Sequence, residues 1–242
     1  MSYIEREYEE KRLIRRRINL THAENGVEFF DLDMASIDDG VTIGRGTYIG
    51  PAVVITGDSS IGEDCVIGQS SRIENSKIAR GCSVDQSVVK DSIVGEDTTV
   101  GPFAYMRPGS NVGARCKIGD FVEVKNSVIG DDTKISHLTY IGDADLGKGI
   151  NIGCGVVFVN YDGRNKYRST VGDGAFIGCN ANIISPVTIE GGAYVAAGST
   201  VSKRVPSGAL LVARSGEEIR EGWVEKRGLL KSRLEKLEEK NS

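Results

Sequence analysis

Aromatic residues are scarce in this 242-residue chain, at 6%, which excludes a core built from large rings. No apolar run approaches the roughly 18–20 residues that a bilayer-spanning helix needs. The opening Met-Ser-Tyr-Ile-Glu-Arg-Glu has no apolar signal-peptide core. Cysteine is limited to 5 residues, an odd number with no Cys-x-x-Cys spacing, which argues against a disulfide framework and for a reducing, cytoplasmic setting. A formal charge of −4 and a pI near 5.4 give no footprint for nucleic acid or an anionic membrane. What is present is a soluble globular composition, 39% hydrophobic and 26% charged, with 31 glycines.

Branched aliphatics recur every six residues, from Ile37, Ile43, Ile49, Ile55, Ile61, Ile67 and Ile73 onward. The series runs on through Met106, Val112, Ile118 and Val124, and through Ile129, Ile135, Ile141, Leu146, Ile152 and Phe158. After a gap of 13 residues it returns at Val171 and ends at Val201. Two residues before most of these aliphatics sits a small one, as in Thr47, Ser59, Cys65, Cys82, Cys116 and Thr139. A helix needs apolar spacing near 3.6 and a half-buried strand a period of 2 over one short run, so neither accounts for a sustained period of six. A triangular coil of three hexapeptides per turn does. The expected fold is therefore all-β: a left-handed parallel β-helix of roughly nine coils, about 43 Å tall at the β spacing. Each aliphatic points inward, and the small residue fits the tight space near a corner. On this register Cys65, Cys82 and Cys116 are packing residues, and Cys154 and Cys179 face outward.

The ends differ from the middle. Residues 3–20 predict a helix whose Glu and Arg/Lys neighbours sit three and four apart. The tail from Glu217 to Lys240 predicts another, with Leu230, Leu234 and Leu237 on one side. The expected organisation is an N-terminal linker helix in residues 1–30, the prism in 31–214 and a helical tail in 215–242.

A few outward residues break the monotony. Met106 to Val124 is one coil of 18 residues, so Arg107 and Lys125 stack. Two stacked cations repel unless an anion neutralises them. A carboxylate such as Glu123 and a bound anion are both open readings; without an intervening carboxylate the pair repels in the free protein. His137, one of 2 histidines, lies two residues after inward Ile135 and faces outward. His22 falls in the N-terminal linker and carries no chemistry. Residues 159–170 break the register with polar and aromatic side chains and project from the prism, a natural place for function.

The segments Gly101-Pro-Phe-Ala-Tyr-Met-Arg-Pro108, Ile118-Gly-Asp-Phe-Val-Glu-Val-Lys125, Ser136-His-Leu-Thr-Tyr-Ile-Gly-Asp143 and Asn160-Tyr-Asp-Gly-Arg-Asn-Lys166 occur in that order. Together they resemble the C-terminal acetyltransferase domain of the bifunctional N-acetylglucosamine-1-phosphate uridyltransferase/glucosamine-1-phosphate acetyltransferases. The resemblance runs from about residue 5 to about residue 225, with ungapped motif spacing from Arg107 to Arg214. It implies a homotrimer with sites between subunits, acetyl-CoA as co-substrate, an amino-sugar phosphate as acceptor, and no metal. Carried over by position, His137 is the general base, and imidazole suits that task at neutral pH. Glu123 orients it. Arg107, Lys125 and Lys166 hold the sugar phosphate, and Tyr140 and Asn151 bind the sugar. Asn160 and Tyr161 close the site against the acetyl donor. The backbone N–H of Cys154 stabilises the oxyanion, and Cys179, Ala197 and Arg214 line the CoA arm.

Cys154 and Cys179 depart from the Ala or Ser that the resemblance leads one to expect, which weakens a hydroxyl contact at Cys179 but leaves a backbone role at Cys154 intact. Neither has an adjacent His in its motif to make it a nucleophile. The chain opens within what resembles the helix joining two domains, so the nucleotidyltransferase part is expected to be absent. Two other readings compete. A γ-class carbonic anhydrase shares such a prism but needs three zinc-binding histidines, and only His22 and His137 exist. A non-catalytic trimeric scaffold that binds sugar phosphates is separated from the first reading by thiol release from acetyl-CoA with glucosamine 1-phosphate, whereas an acetyltransferase for another amino-sugar phosphate is an alternative that the sequence leaves open.

Overall fold

The computed structural model describes residues 2–216 and 218–228. The chain winds into a left-handed parallel β-helix. Its strands are two to four residues long and fall into three sheets of 11, 10 and 9 strands. The first face begins at Glu28–Phe29, the second at Ser36–Ile37 and the third at Thr42–Ile43. The prism is a little taller than the aliphatic series predicts, because Phe29 and Leu211 add paired strands at the two ends of the first face.

The inward aliphatics stack in register. On the first face Ile118, Ile135, Ile152, Ile177 and Val195 sit one above another, and all are buried. Burying each such side chain is worth about 1.5–3 kcal/mol. This ladder is the main driving force for the coil. Among the described residues Phe158 is the one large ring buried with these aliphatics, in line with the scarcity of aromatics.

The small-residue slot asks for more than size. The Thr47 hydroxyl donates to the Gly62 carbonyl at 2.8 Å and accepts the Cys65 N–H at 3.0 Å. The thiols of Cys65, Cys82 and Cys116 likewise donate to the carbonyls of Ala79, Gly95 and Gly130 at 3.1, 3.0 and 3.2 Å. Ser, Thr and Cys thus satisfy backbone groups that a bend in the coil leaves without a ladder partner. Burial pushes all three thiols up, Cys82 to about 11, so they stay protonated and inert.

The N-terminal helix, α1, spans Tyr3–Glu24, four residues beyond the expected end. It opens on a capping box between Ser2 and Glu5. Its outer side carries the expected pairs, Lys11–Glu7 and Arg12–Glu9. The helix is pinned by fully buried Asn19, whose amide donates to the carbonyls of Leu32 and Ala35 at 2.8 and 3.0 Å. His22 lies within the last turn of α1, and partial burial lowers its pKa. In the tail the described residues contain one helical turn, α2, Trp223–Lys226; the leucine face at Leu230, Leu234 and Leu237 lies outside the described residues. No described helix is long and apolar enough to cross a membrane.

Candidate active site

Where the first face turns toward the second, the residues two places after each inward aliphatic form a column along one edge. Asp120 pairs with His137 across adjacent strands. The next positions in the column are Cys154, Cys179 and Ala197. The bonds Gly155 N–H to Leu138 O (3.1 Å), Asn180 N–H to Cys154 O (2.8 Å) and Gly198 N–H to Cys179 O (2.8 Å) fix that order. The Arg214 guanidinium reaches back to donate to the Ala197 carbonyl at 3.3 Å. His137 and Ala197 thus stand about 14 Å apart along a straight edge, three coil spacings. Among the described residues the Cys154 N–H has no acceptor.

His137 Nδ1 lies 2.6 Å from Asp120 Oδ1, and its ring is half-exposed. The hydrogen bond to His137 is the main reason the Asp120 carboxyl is held below its ordinary value. The carboxylate on His137 in this chain is therefore Asp120 and not Glu123.

Glu123 lies on the second face, paired with Tyr140, and binds Arg107 at 2.7 Å. Lys125 does stand beneath Arg107, but its ammonium lies 3.0 and 3.2 Å from the two oxygens of Asp143. The expected repulsion of two bare cations is thus corrected: each has its own carboxylate. Stacking arithmetic places Cα atoms directly opposite, whereas long side chains reach diagonal neighbours.

Asp143 is the residue that sequence reasoning left without a role. It is buried and accepts from Lys125, from Asn126 at 2.6 Å and from Asn160. Burial alone would raise its pKa; the bonds from Asn126, Lys125 and Asn160 outweigh that and leave it lowered. The Tyr140 ring lies over Gly142, where a Cβ would collide with it, and its hydroxyl is 3.5 Å from the Asn160 amide. Lys125, Tyr140, Asp143 and Asn160 are therefore one connected polar cluster, and the Arg107–Glu123 pair lies beside it on the same face.

The inserted segment leaves the register as expected and closes on itself through an antiparallel bridge between Tyr161 and Lys166. Asp162 accepts the N–H groups of Arg164 and Asn165 at 2.7 and 2.6 Å, and Arg168 ties the returning strand to Asp145. Asn160 is buried at its base, whereas Tyr161 and Lys166 are exposed. Asn151 lies on the first face between Lys134 and Phe176, away from Tyr140. The chain thus gathers Arg107, Lys125, Tyr140 and Asn160, aligns His137 with Cys154, Cys179, Ala197 and Arg214, and leaves Asn151 outside the polar cluster.

Beside the column runs an apolar ladder. Phe103 and Phe121 stack at 5.3 Å between ring centroids, and both are exposed, as is Leu138. All three adopt left-handed backbone, with φ of 61°, 55° and 45°, a conformation that bulky residues rarely hold. Among the described residues no three His, Cys, Asp or Glu side chains come together as a metal-binding group.

The chain is a hexapeptide-repeat β-helix, the class of fold that it shares with acyltransferases among the proteins it is similar to. More particularly, it is a homologue of the C-terminal half of the bifunctional GlmU proteins. It is 54% identical over 215 residues to Bifunctional protein GlmU of Clostridioides difficile, covering 89% of this chain and 47% of that protein. It is equally 54% identical over 224 residues to its counterpart in Acetivibrio thermocellus, covering 93% and 49%. The chain spans about half the length of these curated relatives. Residues 168–203 match the model described as bacterial transferase hexapeptide (six repeats), and residues 33–109 the model described as GMPPB C-terminal domain. The fold is also that of a UDP-N-acetylglucosamine acyltransferase from Arabidopsis, with a TM-score of 0.57 at 19% identity over 81% of this chain and 76% of the other.

Proposed function

We propose that the chain transfers an acetyl group from acetyl-CoA to the amine of glucosamine 1-phosphate, yielding N-acetylglucosamine 1-phosphate for cell-wall precursor synthesis. The observation that carries this reading is the edge column, which sets His137 at the head of a straight track running past Cys154, Cys179 and Ala197 to Arg214. An elongated donor lies along that track with its thioester at Cys154 and its phosphates toward Arg214. His137 takes a proton from the ammonium-derived amine as the nitrogen attacks the thioester carbonyl. The Cys154 N–H stabilises the resulting oxyanion. Collapse breaks the C–S bond, and the imidazolium returns its proton to the departing thiolate.

Arg107 and Lys125, oriented by Glu123 and Asp143, bind the sugar phosphate together with Lys166. Tyr140 and Asn151 hold the sugar, and Asn160 and Tyr161 form the wall toward the donor. The catalytic unit is the prism, expected in residues 31–214 and opening with the Glu28–Phe29 strand, with the linker helix before it and a tail in 215–242. Three prisms pack in parallel through the exposed Phe103–Phe121–Leu138 ladder. This packing brings Asn151 and Lys166 to the polar cluster across a subunit boundary.

Acetyl-CoA with glucosamine 1-phosphate should release free CoA thiol. Unphosphorylated glucosamine should be used about 100-fold less efficiently, the equivalent of about 3 kcal/mol from two charge-assisted hydrogen bonds. Equal use of the two acceptors would remove the phosphate site. In sedimentation the active species should be a trimer; a fully active monomer would contradict the shared site.

A further inference from the structure

Strands Lys117–Asp120 and Lys134–His137 are four residues long, whereas every other described strand has two or three. The extra length carries the ladder through to Asp120 and His137 themselves, which pair directly. At Gly119 the two coils come so close that a Cβ would collide with the Ser136 carbonyl. Directly after each polar residue, Phe121 and Leu138 turn through left-handed backbone. Both members of the pair are thus held by their own strands as well as by each other.

We propose that Asp120 is the positioning residue for His137, holding the ring proton on Nδ1 so that Nε2 is the free base. This rests on the reading of His137 as base and deepens it. A neutral imidazole carries one N–H, and the nitrogen opposite is the one able to accept a proton. With Nδ1 2.6 Å from a carboxylate, the proton belongs on Nδ1, leaving the Nε2 lone pair toward the substrate. Glu123 is engaged by Arg107 and does not compete for the ring. The charged and titratable groups around the pair are Lys117, whose charge also favours the Asp120 carboxylate, Lys134 on the strand of His137, and Cys154 one coil further on. The carboxylate also stabilises the imidazolium formed after proton transfer.

The full chain is compared with Asp120→Ala, Asp120→Asn and His137→Ala. With only His22 and His137 present, ring-nitrogen NMR on 15N-histidine protein assigns each signal by difference. The neutral ring of His137 should be the Nδ1–H form in the native protein and the Nε2–H form in Asp120→Ala. Turnover of Asp120→Ala should fall about tenfold or more, a share of what a positioned base contributes, with KM for acetyl-CoA unchanged. Asp120→Asn keeps a side-chain oxygen that can accept from Nδ1 without the charge, so it should retain the Nδ1–H form and lose less turnover than Asp120→Ala. An unchanged tautomer and turnover in Asp120→Ala, while His137→Ala is inactive, would overturn the role of Asp120 and leave the base standing. Full turnover in His137→Ala would instead remove the base itself.

Discussion

Replacing His137 by Ala should lower acetyl-transfer turnover by about 100- to 10,000-fold, the usual contribution of a positioned general base, with the prism intact. The structural part of that expectation comes from burial. Ile135 and Ile141, on either side in sequence, point inward and are fully buried, whereas the His137 ring is half-exposed on the edge. Truncating it leaves the core untouched. Affinity for acetyl-CoA should change little, because Cys179, Ala197 and Arg214 lie on later coils. The limb of the pH–rate profile produced by the base should disappear. Single-turnover kinetics, with sedimentation to verify assembly, checks each part. Native turnover with the native pH profile would mean that the amine loses its proton to water.

Replacing Asp143 by Ala should destabilise the protein by about 1–3 kcal/mol, the cost of leaving buried hydrogen-bond donors without their charged acceptor. The Lys125 and Asp143 side chains are only 17% and 9% exposed, and the amides of Asn126 and Asn160 lose the same acceptor. Urea denaturation measures the loss. KM for the sugar phosphate should rise as well, because the Lys125 ammonium and the base of the inserted loop are no longer fixed. The pH dependence has a definite sign. Because the folded carboxyl sits below its ordinary value, near 3.9 in an unfolded chain, its contribution is full above that pH. It is lost as the pH falls through the folded value. The native protein should therefore lose part of its stability advantage over Asp143→Ala in acid. A loss below about 1 kcal/mol with unchanged KM would show that the cluster is not an anchor.

The coil was legible because one aliphatic per hexad is a strong and redundant signal, and the same register turned His137, Cys154 and Cys179 outward. The pairing of His137 was within reach. Ile118 and Ile135 are 17 residues apart on one face, and the same step of 17 takes Asp120 to His137. An 18-residue coil, correct from Met106 to Val124, misses it by one position. Asp143 was less accessible, since its burial depends on Asn160 folding back from the inserted loop, and no periodicity governs a loop. The extension of α1 to Glu24 ends at a signal that the sequence does contain: Asn25 as cap followed by Gly26 at φ 90°. The strands at Phe29 and Leu211 stand outside the hexad series and emerge only from pairing with the coils beside them.

Donor and acceptor should meet at the edge where the first and second faces join, and a crystal structure of the protein with CoA and N-acetylglucosamine 1-phosphate would show it. The product nitrogen should lie within about 2.6–3.2 Å of His137 Nε2. The acetyl oxygen should face the Cys154 N–H, the CoA arm should pass Cys179 and Ala197, and the sugar phosphate should contact Arg107 and Lys125. CoA bound along the third face, or a sugar phosphate seated away from Arg107 and Lys125, would mean that the chemistry lies elsewhere on the prism.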